Sequence, residues 1–343
     1  MRSVNHRVHA AIAAFLLCMP VLTGCADSSS APASQADSEP AVTETVTTAA
    51  ETEPAAESEA PSDLSQYEIT DPFQYTVGEP EISGDLEQRK NVFFDRDGLK
   101  IYGQLHLPEG EGPFPTVIIV SGQTASYDYY TDEAETFAEN GIAALTFDCI
   151  GAVGRSQSSG EITDYSVLTE AKDLNAVLDS MGKLPKVDTG KLFLWGHSLG
   201  GLVSTYIGCS RPDDICGLML AEPSFVYPDA ARALCPDLSE VPDVVTDTRM
   251  FGSVVGKIFV TDMASLDIFS MMPDCDRDAE IYLGTVDCLG SGYHEYFERA
   301  VTLFPSAKIV DLEGADHYFQ HEDGERLMEK SLAFVRAHLD AAE

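Results

Sequence analysis

Residues 185–201 read PKVDTGKLFLWGHSLGG, running from Pro185 to Gly201. At its centre, Gly196-His197-Ser198-Leu199-Gly200 sets a serine between two glycines, where an apolar run (192–195) gives way to a helical one (199–209). A strand that turns straight into a helix forces the residue at the corner into a strained conformation. Only glycine two positions away on each side lets the two segments pass closely. The turn lifts the serine hydroxyl above the sheet edge and sets it at a helix N-terminus, where unbonded N–H groups and the helix dipole favour developing negative charge. Ser198 is therefore the candidate nucleophile. His197, on the same turn, is expected to pack rather than act as a base.

Outward from this stretch, short apolar runs alternate with helical patterns. Residues 91–95 and 100–107 flank Arg96-Asp97-Gly98, a hairpin signal. Residues 115–120 (PTVIIV) form the continuous apolar run of a strand covered on both faces. Helix 131–139, strand 142–147 and helix 165–181 follow, the last with Val167, Leu168, Ala171, Leu174, Val177 and Leu178 at helical spacing. Strand 191–195, helix 199–209 and strand 216–221 come next. Residues 279–283, 293–303, 308–312 and 325–339 continue as strand, helix, strand, helix. This alternation predicts an α/β fold with a mostly parallel eight-stranded sheet and helices on both faces. Residues 223–278, with five prolines and scattered Met and Phe, are too long for a bare loop and are expected to form a cap after strand six.

A serine hydroxyl needs a base within hydrogen-bond reach, itself oriented by a carboxylate. Downstream of Ser198 the histidines are His294, His317, His321 and His338. His317 follows the last strand, where a loop carries a base to the C-terminal sheet edge, whereas His294 and His338 fall in helices. His321 is four residues from His317, but no third metal ligand accompanies them, so no metal is expected. Asp287, at the end of Ile281–Asp287, is the candidate acid. Asp316 adjoins His317 and diverges from its ring, and Asp278 precedes the strand, at the opposite edge.

Taken together, the glycine turn Ser121-Gly122-Gln123, the Asp148…Gly151…Gly154-Arg155-Ser156 turn, the Gly-His-Ser-Leu-Gly-Gly corner and the final Asp287 and His317 loops resemble the α/β-hydrolase superfamily over residues 90–340. Helix 165–181 and the moderate cap after Glu222-Pro223 are similar to small gut-bacterial feruloyl (cinnamoyl) esterases and related acyl esterases. The resemblance implies an α/β-hydrolase fold and acyl transfer to Ser198 without a cofactor. It also implies an oxyanion hole, here from the amides of Gln123 and Leu199. Two features depart from the family. Ser121-Gly122-Gln123 stands where members commonly carry His-Gly, and Asp287-Cys288-Leu289-Gly290 replaces the usual residues after the acid. Asp148 and Ser156 are read as turn residues. Tyr127, Tyr130, Phe225 and Tyr318 are candidate substrate-pocket residues, with cap or core packing as the alternative.

The N-terminus is of other material. Arg2 and Arg7, an apolar stretch to Leu22 and then Leu22-Thr23-Gly24-Cys25 resemble a bacterial lipoprotein signal over residues 1–25, with Cys25 the expected lipidation site; an ordinary signal peptide or an uncleaved anchor is the alternative. Residues 26–66 hold nine acids and no Lys or Arg. Such a chain buries too little apolar surface to offset its ordering entropy and is expected to be a disordered tether. Residues 67–90 lead into the domain at 91–343. The expectation is an exported, lipid-anchored, extracytoplasmic protein that meets the membrane through its lipid and takes small-molecule or carbohydrate-linked esters. A net charge of −36 argues against nucleic acid as a partner. An exported domain permits disulfides, and Cys235 with Cys275, flanking the cap, is one candidate pair. Two alternatives remain open: a peptidase or amidase of the same fold, and a catalytically inactive surface binding module.

Overall fold

The computed structural model describes residues 64–84, 86–286 and 293–341. The signal with Cys25, nearly all of the tether, and Asp287 with Cys288 lie outside the described residues. The strands are β1 (Glu81–Ser83), β2 (Arg89–Arg96), β3 (Leu99–His106), β4 (Phe114–Val120), β5 (Ala143–Phe147), β6 (Val187–His197), β7 (Leu218–Ala221), the short cap pair β8 (Val244–Val245) and β9 (Val255–Gly256), then β10 (Ala279–Gly284) and β11 (Ala307–Leu312). The main sheet runs β1-β2-β3-β5-β4-β6-β7-β10-β11. It is antiparallel from β1 to β5 and parallel from there on.

The parallel core arises where the sequence is continuously apolar. All five residues of β5 and all six of β10 are buried. The hairpin joining β2 to β3 turns through Asp97 (φ 59°) and Gly98 (φ 79°), the pair of positive φ angles that matches strand twist in a two-residue turn. Helices α1 (Thr131–Glu139) and α8 (Glu322–Ala341) cover one face, and α2 (Val167–Ser180), α3 (Leu199–Ser210) and the cap cover the other. Ser166 starts α2 with a capping box: its Oγ accepts from Thr169 N at 3.0 Å and its own N–H donates to Thr169 Oγ1 at 2.7 Å. The cap holds α4 (Tyr227–Leu234), α5 (Thr248–Phe251) and α6 (Lys257–Ser265), and α7 (His294–Leu303) follows β10.

Three expectations change. The sheet has nine strands rather than eight. The extra one, β1, is three residues long and exposed throughout, so it carries no apolar pattern and exists only by pairing with β2. The fold therefore begins upstream of residue 91. Residues 67–90 are integrated into it: Thr70 N donates to Asp262 Oδ1 of the cap at 2.9 Å and Asn175 Nδ2 to Pro72 O at 2.8 Å. Finally, Cys235 and Cys275 are both free thiols. Cys275 interacts instead with Cys209 at the end of α3. Among the described residues no helix is long and apolar enough to cross a membrane.

Candidate active site

Ser198 sits at the corner between β6 and α3 with φ 55° and ψ −118°, a conformation that costs a non-glycine residue on the order of 1–3 kcal/mol and persists only where its surroundings enforce it. They do so by close packing. A Cβ on Gly196 would stand 2.4 Å from Gly200 O, and one on Gly200 would stand 2.1 Å from Val120 O. Ser198 N donates to Ala221 O at 2.8 Å and Ser198 O accepts from Ser224 N at 2.9 Å, which ties the corner to the end of β7. The Ser224 hydroxyl lies 3.2 Å from that of Ser198. Sequence reading missed Ser224, because a serine after Glu222-Pro223 carries no motif.

Gln123 follows β4 and Leu199 is the first residue of α3, where an amide has no intrahelical acceptor. Among the described residues neither amide donates to a protein group. Both therefore suit a developing oxyanion at Ser198.

His317 is buried in the loop between β11 and α8. Asp316 Oδ1 accepts from Tyr318 N at 2.9 Å, a local turn that brackets the histidine. His197 holds this loop from the nucleophile side. Its Nε2 lies 2.7 Å from His317 O, so Nε2 carries the proton and Nδ1 accepts from Tyr130 Oη at 2.8 Å. Tyr130 Oη in turn accepts from Gly122 N at 3.1 Å. One chain of hydrogen bonds thus links the Gly122 loop, the corner residue His197 and the His317 loop. The rings of His197 and His317 stand 5.0 Å apart.

The end of β10 converges on the same point. Val286 N donates to Ala315 O at 3.0 Å, and Gly314 N to Thr285 Oγ1 at 2.8 Å. Glu222, buried with φ 46°, accepts from Gly284 N at 2.6 Å. The backbone that leads into Asp287 is therefore locked beside the His317 loop, although Asp287 itself lies outside the described residues. The rejected candidates are elsewhere: His338 and Asp278 pair with each other, Nε2 to Oδ2 at 3.0 Å. Among the described residues no cluster of metal-ligating side chains forms, His317 and His321 included.

The expected pocket aromatics divide. Tyr130 is 2 % exposed, packs edge-on against Trp195 and holds the hydrogen-bond chain, so it is a structural residue. Phe225 is 1 % exposed between Phe269 and Phe297 and belongs to the cap core. Both rings are packed within the fold. Tyr318 stays half-buried, edge-on to His317, and Tyr127 packs on Tyr102 at 4.8 Å. Asp148 is a turn residue, accepting from Tyr127 N at 2.5 Å. The Gly122 loop borders a small pocket, with room for about one water, that is lined by Ser121, Gly122, Phe147, Cys149 and Glu170 among others. Burial, with Asp173 adding to it, pushes the Glu170 carboxyl up to about 8, against the hydrogen bond from Tyr165 Oη at 2.8 Å.

Comparison with known proteins agrees with this architecture. Residues 111–282, half of the chain, match the family described as serine aminopeptidase, S33. Esterase FrsA of Escherichia coli O157:H7 is 38 % identical over 117 residues, 34 % of this chain and 27 % of that protein. The match thus spans about a quarter of the length of such curated relatives. Among solved structures, Est1E of Butyrivibrio proteoclasticus with bound ferulic acid superposes with a TM-score of 0.65 at 23 % identity, over 72 % of this chain and 99 % of that one. A proline iminopeptidase of Mycobacterium smegmatis superposes with a TM-score of 0.54 at 14 % identity, over 74 % of this chain and all of that one. The fold is the α/β-hydrolase fold.

Proposed function

We propose that this chain, which belongs to the serine aminopeptidase S33 family, hydrolyses carboxylic esters through an acyl-enzyme on Ser198. The observation that carries the reading is the strained corner at Ser198, φ 55°, enforced by backbone too close to admit a side chain at Gly196 or Gly200. Strain of this kind, at the head of a helix and beside two amides that have no protein acceptor among the described residues, has no evident structural use.

In this reading His317 takes the Ser198 proton as Ser198 attacks the carbonyl, and the amides of Gln123 and Leu199 hold the oxyanion. Asp287 orients the imidazole. His317 then gives the proton to the departing alcohol, and water, activated by the same base, releases the acid. No step calls for a cofactor. An acyl or feruloyl-type substrate is supported by Est1E, the structural neighbour that binds ferulic acid. Attachment to the outer face of the cell membrane through a lipid on Cys25 is supported by the Leu22-Thr23-Gly24-Cys25 sequence.

A second reading, cleavage of amides at aminopeptide ends, is favoured by the family's description and by the iminopeptidase neighbour. Parallel assays separate the two. The ester reading predicts turnover of p-nitrophenyl acetate, butyrate and ferulate esters that is lost in Ser198→Ala, with amino-acid p-nitroanilides inert. Faster cleavage of the anilides than of the esters would replace it with the second reading.

A further inference from the structure

The side chain of Gln123 does not point at the reaction but into the cap. Its Nε2 donates to Phe251 O at 2.8 Å and to Ser253 Oγ at 2.9 Å, and its Oε1 accepts from Tyr227 Oη at 3.3 Å. Both N–H donors and the carbonyl of one carboxamide are thus spent on cap residues. These partners are themselves fixed. Phe251 is buried against Phe259 at 5.6 Å, and Tyr227, buried at the start of α4, has its hydroxyl pushed far above its usual range by desolvation. The backbone of Gln123 stands between Gly122, whose N–H is held by Tyr130, and Thr124, at φ 65°. The loop is therefore gripped at its rear by Tyr130 and at its front by the cap.

We propose that Gln123 is a positioning residue that couples the seating of the cap to the aim of its own backbone amide at the oxyanion. This rests on the serine-hydrolase reading above. With its carboxamide bonded at both ends to the cap, the Gln123 side chain anchors its own Cα, so a cap that moves off the Gln123 loop, taking residues 251–253 with it, frees the adjoining N–H to turn away from the oxyanion. Oxyanion stabilisation depends on donors fixed in advance at the position where charge develops. A substrate that fits under the seated cap finds the amide aligned. One that lifts the cap binds but reacts slowly, so the cap selects through kcat rather than through affinity alone.

The test compares the full chain with Gln123→Ala and Ser253→Ala, using p-nitrophenyl butyrate kinetics and hydrogen exchange of the peptide covering residues 244–256. Gln123→Ala is expected to lower kcat about tenfold with KM within about twofold. That is short of the roughly 100- to 1000-fold cost of deleting an oxyanion donor, because the amide is kept but misaimed. The cap peptide should exchange faster in the same variant. Ser253→Ala, which keeps the Phe251 bond, should show a smaller effect of the same kind, and the double variant should add little to Gln123→Ala. Unchanged cap exchange or unchanged kcat in Gln123→Ala, with an active parent, overturns the coupling alone. A parent that neither turns over esters nor labels with a fluorophosphonate overturns the serine-hydrolase reading, and the coupling with it.

Discussion

Nδ1 of His197 lies 2.8 Å from Oη of Tyr130, and through this contact the Gly122 loop and the loop bearing His317 share one support. His197 Nε2 donates to His317 O, and Tyr130 Oη accepts from Gly122 N. Tyr130→Phe removes the middle of that chain. It leaves two buried polar groups without their partner, each costing about 1–3 kcal/mol. The variant should melt at lower temperature and lose about tenfold in kcat, with KM little changed. Thermal denaturation and steady-state kinetics on one preparation check both.

Glu170 gives the stability of the fold a pH signature. Its carboxyl is raised from 4.5 to about 8 in the folded state, so the native protein binds that proton more tightly than the unfolded chain does. The stabilisation is complete below about pH 4.5 and is lost as pH rises to about 8. Glu170→Gln is neutral throughout and escapes the loss. Its melting temperature relative to the parent should therefore rise from pH 5 to pH 8.5. A constant difference across that range would contradict the assignment.

Gly200 tests the packing that makes the corner. A methyl group there would sit 2.1 Å from Val120 O and 2.5 Å from Ser121 O, both backbone atoms that cannot swing aside. Gly200→Ala should cost about 4 kcal/mol or more, in the range reserved for severe core disruption. It should show as a collapsed urea midpoint or a failure to recover folded protein. A normal midpoint would mean that helix and strand are less closely apposed.

The parts legible in the sequence were those written in local pattern. The apolar runs of β4, β5 and β10, the hairpin at Asp97-Gly98 and the corner at Ser198 each carry their signal within a few residues. What escaped depended on distant partners. β1 has no buried residue and forms because β2 offers an edge. Tyr130 and Phe225 look like pocket aromatics in sequence, yet one is taken up by Trp195 and His197 and the other by Phe269 and Phe297. Cys275 lies 40 positions after Cys235 but meets Cys209, since α3 and the end of the cap pack together. In sequence His197 reads as a packing residue, and only its two hydrogen bonds reveal that it also holds the His317 loop.

Labelling by a fluorophosphonate probe reads out whether the hydroxyl of Ser198 is activated. The folded parent should label at neutral pH, and Ser198→Ala should not, with both showing the same far-ultraviolet circular dichroism. A folded parent that remains unlabelled, or equal labelling of the parent and Ser198→Ala, would mean that Ser198 is not an activated nucleophile.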